Sequence, residues 1–112
     1  MMNNKKVKET DLLKKAISEG DLGSYLRISR ENAGLSQGDV AKKLKMSQFQ
    51  SISQWERNAS GSVPVKTLLK LVEIYEVPVD EVYEVLLKYQ AKRMEEKLEQ
   101  KFFGKSKKSN SA

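Results

Sequence analysis

The 112-residue chain contains no cysteine and no histidine, and each absence removes a class of site. Without cysteine there are no disulfides and no thiolate metal ligands, as is usual for proteins of a reducing compartment. Without histidine as well, the common zinc sites and the Ser-His and Cys-His catalytic pairs are excluded. The acids form no pair apart from those on a solvated helix face. We therefore expect no cofactor and no metal, and we expect the protein not to be an enzyme.

Long apolar runs are also missing from the sequence. None approaches the length of a membrane span, and the first residues lack the apolar segment of a signal peptide. We therefore expect a cytoplasmic protein with no membrane partner. Aromatic residues make up 7% and hydrophobic residues 38% of the chain, which is enough for one small core in a single domain.

The net charge of +6 lies at the two ends of the chain. The excess comes from six lysines in segments without any acid: Lys5, Lys6, Lys8, Lys105, Lys107 and Lys108. We predict basic disordered tails over residues 1–9 and 104–112. The tails either keep the protein soluble or add a salt-sensitive attraction to phosphates.

Apolar residues recur at helical spacing along almost the whole chain, and no segment of four or more residues alternates as a strand would. The pattern predicts an all-α protein with helices over residues 10–20, 22–33, 36–44, 47–57, 65–76 and 81–103. The predicted core residues are Leu26, Val40, Ala41, Leu44, Ile52, Leu68, Leu71, Val72, Val82 and Leu86.

Residues at the predicted helix ends have the chemistry of caps. Gly20 and Gly34 follow two of the helices and can take the left-handed conformation that ends a helix. Asp21 precedes the second helix, and Ser36 with Asp39 forms a capping-box-like pair at the start of the third.

The helix over 47–57 has an unusual outer face. On a wheel of about 100° per residue, one side, within about 120°, holds the inward residues Phe49, Ile52, Trp55 and Glu56. The opposite side carries amides, hydroxyls and one guanidinium, without acid or lysine: Ser47, Gln50, Ser53, Gln54 and Arg57. A solvated face is normally rich in glutamate and lysine, whereas a glutamine amide can pair with N6 and N7 of adenine in the major groove. This face is a candidate for reading DNA bases.

The preceding helix supports this interpretation. A short helix, a short turn and an amphipathic second helix form the helix-turn-helix layout, in which the start of the first helix faces the DNA backbone. Ser36 and Gln37 lie at that start and are candidates for a phosphate contact, although Ser36 can equally be a plain N-cap. Nearby lysines can add positive charge toward the duplex: Lys42, Lys43 and Lys45.

The runs "LRISRENAGLSQGDVAKKLKMS", "ISQWERN" and "VPVKTLLKLVEIYEVPVDEV" resemble the Xre/Cro, lambda-repressor-like helix-turn-helix regulators over roughly residues 22–86. The resemblance implies a compact five-helix domain, here over 21–86, that binds a two-fold operator in double-stranded DNA as a homodimer. It also implies an ion pair between Arg30 and Glu56, although Glu56 could instead be a solvated acid at a helix end. Lys66 matches a position from which the family contacts the DNA backbone, and it could equally be a solvated lysine.

Two features depart from the family pattern. Lys45 stands where the turn usually has glycine, and a lysine with positive φ is strained by roughly 1 kcal/mol. The spacing from Ser47 to Ile52 is one residue longer than usual, so we expect the turn to be built differently.

The longer spacing leaves two registers for the base-reading residues. Counting back from Ile52, the preferred anchor, selects Phe49, Gln50, Ser51, Ser53 and Gln54. Counting forward from Ser47 selects Gln48 and Phe49 instead. Ser47 and Gln50 could form a capping box that turns Gln50 toward its own backbone, so Gln54 comes first and Gln50 second. Phe49 is either a core residue or a contact to a thymine methyl.

The final helix continues beyond the resembling region. Over residues 87–103 it carries an apolar stripe at helical spacing: Leu87, Ala91, Met94, Leu98 and Phe102. This extension either folds back on its own domain, against Leu12, Leu13 and Ile17, or forms a dimer interface through Leu87, Met94, Leu98 and Phe102.

The sequence thus favours a sequence-specific DNA-binding transcriptional regulator that acts as a repressor. It would insert the recognition helix over 48–57 in the major groove as a dimer. The alternative is an antitoxin-type or adaptor protein that uses the same fold mainly for protein-protein interaction. No small-molecule partner is evident.

Overall fold

A computed structural model describes residues 4–59 and 63–104 of the protein. Within these ranges the chain forms helices and no strands, so the predicted all-α class is confirmed. The helices are α1 (Asn4–Glu19), α2 (Leu22–Asn32), α3 (Gln37–Lys43), α4 (Gln50–Glu56), α5 (Val65–Tyr75) and α6 (Val79–Phe103). No helix of the described ranges is both long enough and apolar enough to cross a membrane.

The first five helices each end at a residue with left-handed backbone. These residues have φ between 55° and 74°, and they are Gly20, Gly34, Lys45, Asn58 and Glu76. After α2, for example, the N–H of Leu35 donates to the carbonyl of Arg30 at 3.2 Å and that of Gly34 to Glu31 at 3.0 Å, which is the Schellman pattern. The two predicted glycine ends are confirmed.

The predicted caps at two helix starts are also present. The Asp21 carboxylate accepts the N–H of Ser24 at 3.1 Å at the start of α2. At α3, the N–H of Ser36 donates to Asp39 at 2.9 Å, and the Ser36 hydroxyl accepts the N–H of Asp39 at 3.0 Å. The hydrogen bond from the Ser36 N–H, followed by hydrogen bonding of the Ser36 side chain to the carboxylate, holds the pKa of Asp39 below its usual value.

Helix α2 is central, because it packs against α1, α4, α5 and α6. Its buried Tyr25 donates to Glu81 of α6 across 2.8 Å. Of the ten predicted core residues, seven are buried and three, Leu44, Val72 and Leu86, are partly buried against that core. Pattern reasoning omitted further buried residues, among them Leu22, Tyr25, Val63, Val85 and Tyr89.

Helix α1 begins earlier than expected, at Asn4 rather than near residue 10. Residues 4–9, predicted as part of a tail, therefore belong to the helix, since the segment contains no glycine or proline that would end it. The remaining tail residues, 1–3 and 105–112, lie outside the described residues.

Helix α6 packs on its own domain with one face and leaves another exposed. Val82, Val85 and Tyr89 are buried, and α1 lies beside this part of the helix, where Lys92 donates to the carbonyl of Glu19 at 3.1 Å. The apolar stripe of α6, which could have packed back on the domain, is not covered by α1. Its side chains are between 46% and 79% exposed: Leu87, Met94, Leu98 and Phe102.

Candidate nucleic-acid interface

The turn after α3 is closed by main-chain hydrogen bonds around Lys45. The N–H of Met46 donates to the carbonyl of Ala41 at 2.8 Å, and that of Lys45 to Lys42 at 3.0 Å. Lys45 itself takes the left-handed conformation, with φ of 60°. The lysine therefore occupies the conformation that glycine usually supplies, at a cost of roughly 1 kcal/mol.

The extra residue between the two helices is absorbed before α4 begins. Residues 46–49 are not helical, and α4 starts at Gln50, with Phe49 at its N-cap and no side-chain cap. The predicted start of the recognition helix, at 47 or 48, is therefore wrong. The capping box between Ser47 and Gln50 is not formed, because it requires Ser47 at the N-cap.

Helix α4 presents the polar face that the wheel predicted. Ile52 is 1% exposed, and Trp55 packs partly buried against the core, so Ile52 anchors the rotation of the helix as expected. Ser51 and Ser53 are half-buried, at the edges of the outer face. The exposed side chains at the centre of this face are Gln50, Gln54 and Arg57.

Two further exposed residues precede α4. Gln48 is exposed, and Phe49 is 49% exposed. The interpretation of Phe49 as a core residue is therefore wrong, because it lies before the first helical residue and is not held on the Ile52 side. The large apolar ring stands beside the polar face of α4.

Exposed basic side chains also lie on the elements before and after α4. Lys42, Lys43 and Lys45 are exposed at the end of α3 and in the turn, and Lys66 is exposed in the first turn of α5. Arg57 is exposed at the end of α4, where its Nε donates to the carbonyl of Ser53 at 3.3 Å.

Residues 37–57 contain four basic residues and two acids. Asp39 is exposed and keeps its negative charge at the surface, whereas Glu56 is buried and paired with Arg30. The outer surface of α3 and α4 therefore has a positive balance, which suits a polyanion.

Glu56 is the centre of a buried polar cluster. Its carboxylate accepts the Arg30 Nε at 2.7 Å and Nη2 at 3.1 Å, so the ion pair that the resemblance implied is formed. The pKa of Arg30 is raised, chiefly by this hydrogen bond. Gln37 donates its amide to the same carboxylate at 3.0 Å. That contact was not foreseen, because nothing in the local sequence joins residues 19 positions apart.

The C-terminal end of α4 is also held by Asn58, which sequence reasoning missed. Its Oδ1 accepts the N–H of Gly23 at 2.9 Å, and its Nδ2 donates to Asp21 at 3.0 Å. Burial raises the pKa of Asp21, but hydrogen bonds from Asn58 and Ser24 outweigh it and leave the pKa lowered. The sequence signal that could have indicated this role is an asparagine just after a predicted helix, and Asn58 takes the left-handed conformation there. The C-terminal end of α4 is thus fixed to both ends of α2, through Glu56 to Arg30 and through Asn58 to Gly23.

Helices α3 and α4, joined by a tight turn and anchored so that one polar face points outward, form a helix-turn-helix domain. A family model described as a helix-turn-helix domain matches residues 21–85, more than half of the chain, and the protein belongs to that family. The family lies in the Xre/lambda-repressor-like clan and is one of DNA-binding, typically non-enzymatic, domains. No curated protein and no solved structure matches the chain.

Over residues 4–59 and 63–104, no group of three or more acids could hold a metal ion.

Proposed function

We propose that the protein is a sequence-specific regulator that represses transcription by placing α4 in the major groove of an operator in double-stranded DNA. The observation that carries this proposal is the outer face of α4, where two exposed amides stand among hydroxyls with no acid beside them. Gln54 and Gln50 read bases as bidentate partners, adenine being the base whose edge fits an amide best. Ser51 and Ser53 line the edges of the contact.

The residues before α4 add to the reading surface. Gln48 reaches the same groove from the non-helical entry, and the exposed ring of Phe49 packs on a thymine methyl, the apolar group that the major groove offers. Backbone contacts come from the surrounding polar and basic residues: Ser36, Gln37, Lys42, Lys45, Arg57 and Lys66. These contacts make the affinity depend strongly on salt.

The protein would bind as a homodimer through the exposed stripe of α6. From Leu87 to Phe102 the stripe extends about 22 Å along the helix. A row of large apolar side chains of this length is unusual on the surface of a small monomer. A two-fold pair of domains matches a two-fold operator with half-sites about one DNA turn apart. Repression then requires only that the dimer occupy the DNA.

Selection of bound duplexes from a random pool tests the proposal directly. We expect enrichment of one symmetric sequence with two half-sites. Gln54→Ala should then lose about 1–3 kcal/mol of discrimination at one base pair. Gln100→Ala, the same change at an exposed site of α6, is the matched control and should retain it. A pool without enrichment would instead favour an adaptor or antitoxin-type protein that uses the α6 stripe for a protein partner.

A further inference from the structure

Glu56 connects the interior of the domain to its proposed DNA-binding surface. Its side chain is 4% exposed, and its carboxylate binds Arg30. Its Oε1, which accepts the Arg30 Nη2, also accepts the amide of Gln37, a residue that is only half-buried. Because a carboxylate only accepts hydrogen bonds, the Gln37 nitrogen must face Glu56.

The main chain before Gln37 is held by the same cluster. The Arg30 Nη1 donates to the carbonyl of Leu35 at 2.8 Å, two residues before Gln37. One guanidinium thus fixes both the chain that leads into α3 and the carboxylate that binds the Gln37 side chain. The amide carries two N–H groups, and its bond to Glu56 uses one of them.

We infer that Glu56 is a positioning residue for DNA binding, one that orients the Gln37 amide so that its second N–H donates to a DNA phosphate. This inference rests on the proposed function. A phosphate oxygen, like a carboxylate, only accepts hydrogen bonds. An amide released from Glu56 is free to turn its carbonyl oxygen toward the phosphate, which removes the contact.

Charge and positioning predict opposite effects for the substitution Glu56→Gln. Removal of an acid makes the protein more positive, which by itself strengthens binding to a polyanion. The amide that replaces the carboxylate has one acceptor oxygen in place of two, and Arg30 competes with Gln37 for it, so the weaker anchoring of Gln37 reduces binding instead. Glu31→Gln is the matched control, since Glu31 is an exposed acid 3.8 Å from the Arg30 guanidinium and has no hydrogen bond to Gln37.

A double-mutant cycle separates the two roles. The probe is a fluorescently labelled duplex carrying the operator recovered by selection, and circular dichroism verifies that each variant is folded. We expect Gln37→Ala to weaken binding about tenfold, as for a hydrogen bond to a charged group. Glu56→Gln should weaken binding to a similar extent alone, but by less than about twofold in the Gln37→Ala background. Glu31→Gln should not weaken binding.

An equal effect of Glu56→Gln in both backgrounds would overturn the inference, as would tighter binding by Glu56→Gln alone. If the protein selects no duplex, the proposed function itself is contradicted. If a duplex is selected and the two substitutions have additive effects on its binding, only this inference is contradicted.

Nuclear magnetic resonance of the wild-type protein provides a second measurement if Glu56→Gln does not fold. In the free protein, one side-chain amide proton of Gln37 should exchange with solvent more slowly than those of exposed Gln100. On addition of the operator duplex, that proton should keep its slow exchange while the second proton shifts. Equal exchange at Gln37 and Gln100, or loss of the slow proton on binding, contradicts the positioning role.

Discussion

Lys45 is the residue at which stability and DNA binding should respond in opposite directions to one substitution. Its φ of 60° is imposed by the hydrogen bonds that close the turn after α3. A left-handed conformation costs a residue with a Cβ about 1–2 kcal/mol, whereas glycine adopts it freely. Glycine loses more conformational freedom on folding, which offsets part of the gain. We expect Lys45→Gly to raise the free energy of unfolding by about 0.5–1 kcal/mol.

Thermal unfolding followed by circular dichroism measures this gain. For a domain of this size, the change corresponds to a rise in Tm of about 2–8 °C. Lys42→Gly is the matched control, because Lys42 is exposed within α3 and takes helical backbone. There, the same substitution should lower the free energy of unfolding by up to about 1 kcal/mol. If Lys45→Gly proves less stable than the wild type, the strain assigned to this turn is wrong.

The DNA affinity of Lys45→Gly should fall although the protein becomes more stable. Loss of one phosphate contact reduces the slope of log affinity against log salt by about 0.9. Titrations of the operator duplex at several salt concentrations measure this slope. A slope equal to that of the wild type would remove Lys45 from the phosphate contacts and leave the stability prediction untouched.

Three further predictions concern other parts of the domain. Gly23→Ala should lower the free energy of unfolding by about 1–3 kcal/mol, because its new Cβ would overlap the main chain at the end of α4. Gly38→Ala should not lower the free energy of unfolding, because its new Cβ has room. Urea titrations measure the free energy of unfolding of both variants. Hydrogen bonds from Ser36 lower the pKa of Asp39 in the folded protein. The contribution of Asp39 to stability is therefore complete above the ordinary carboxyl pKa of 3.8. It is lost as the pH falls through the lower pKa of the folded state. Asp39→Asn should therefore flatten the acid limb of stability measured against pH. Leu98→Lys should give a monomer in light scattering, whereas Gln100→Lys, on the opposite side of α6, should remain dimeric; a dimer for both would contradict the proposed interface.

The sequence alone determined the helical class, most of the core and the caps of α2 and α3. Each of these depends on residues within a turn or two of one another. The periodicity of Leu26, Val40 and Ile52 specifies a buried face wherever a helix packs. The Ser36 and Asp39 pair caps α3 with hydrogen bonds that reach only three residues along the chain.

Family resemblance supplied one long-range contact that local reasoning could not, the pair between Arg30 and Glu56. It did not supply the starting residue of α4. An inserted residue can enter either the helix or the loop, and the choice depends on how deeply Ile52 is buried. The loop absorbed it, which moved the helix start to Gln50 and left Phe49 exposed.

Only the tertiary structure decided which polar side chains are held inside the domain. Gln37 meets Glu56 across 19 residues, and Asn58 caps the Gly23 N–H across 35. Such pairs form because packing brings helix ends together, and no local pattern encodes where a neighbouring helix will end. The sequence therefore specified a surface that presents amides outward, and the packing of α2 against α4 determined how firmly that surface is held.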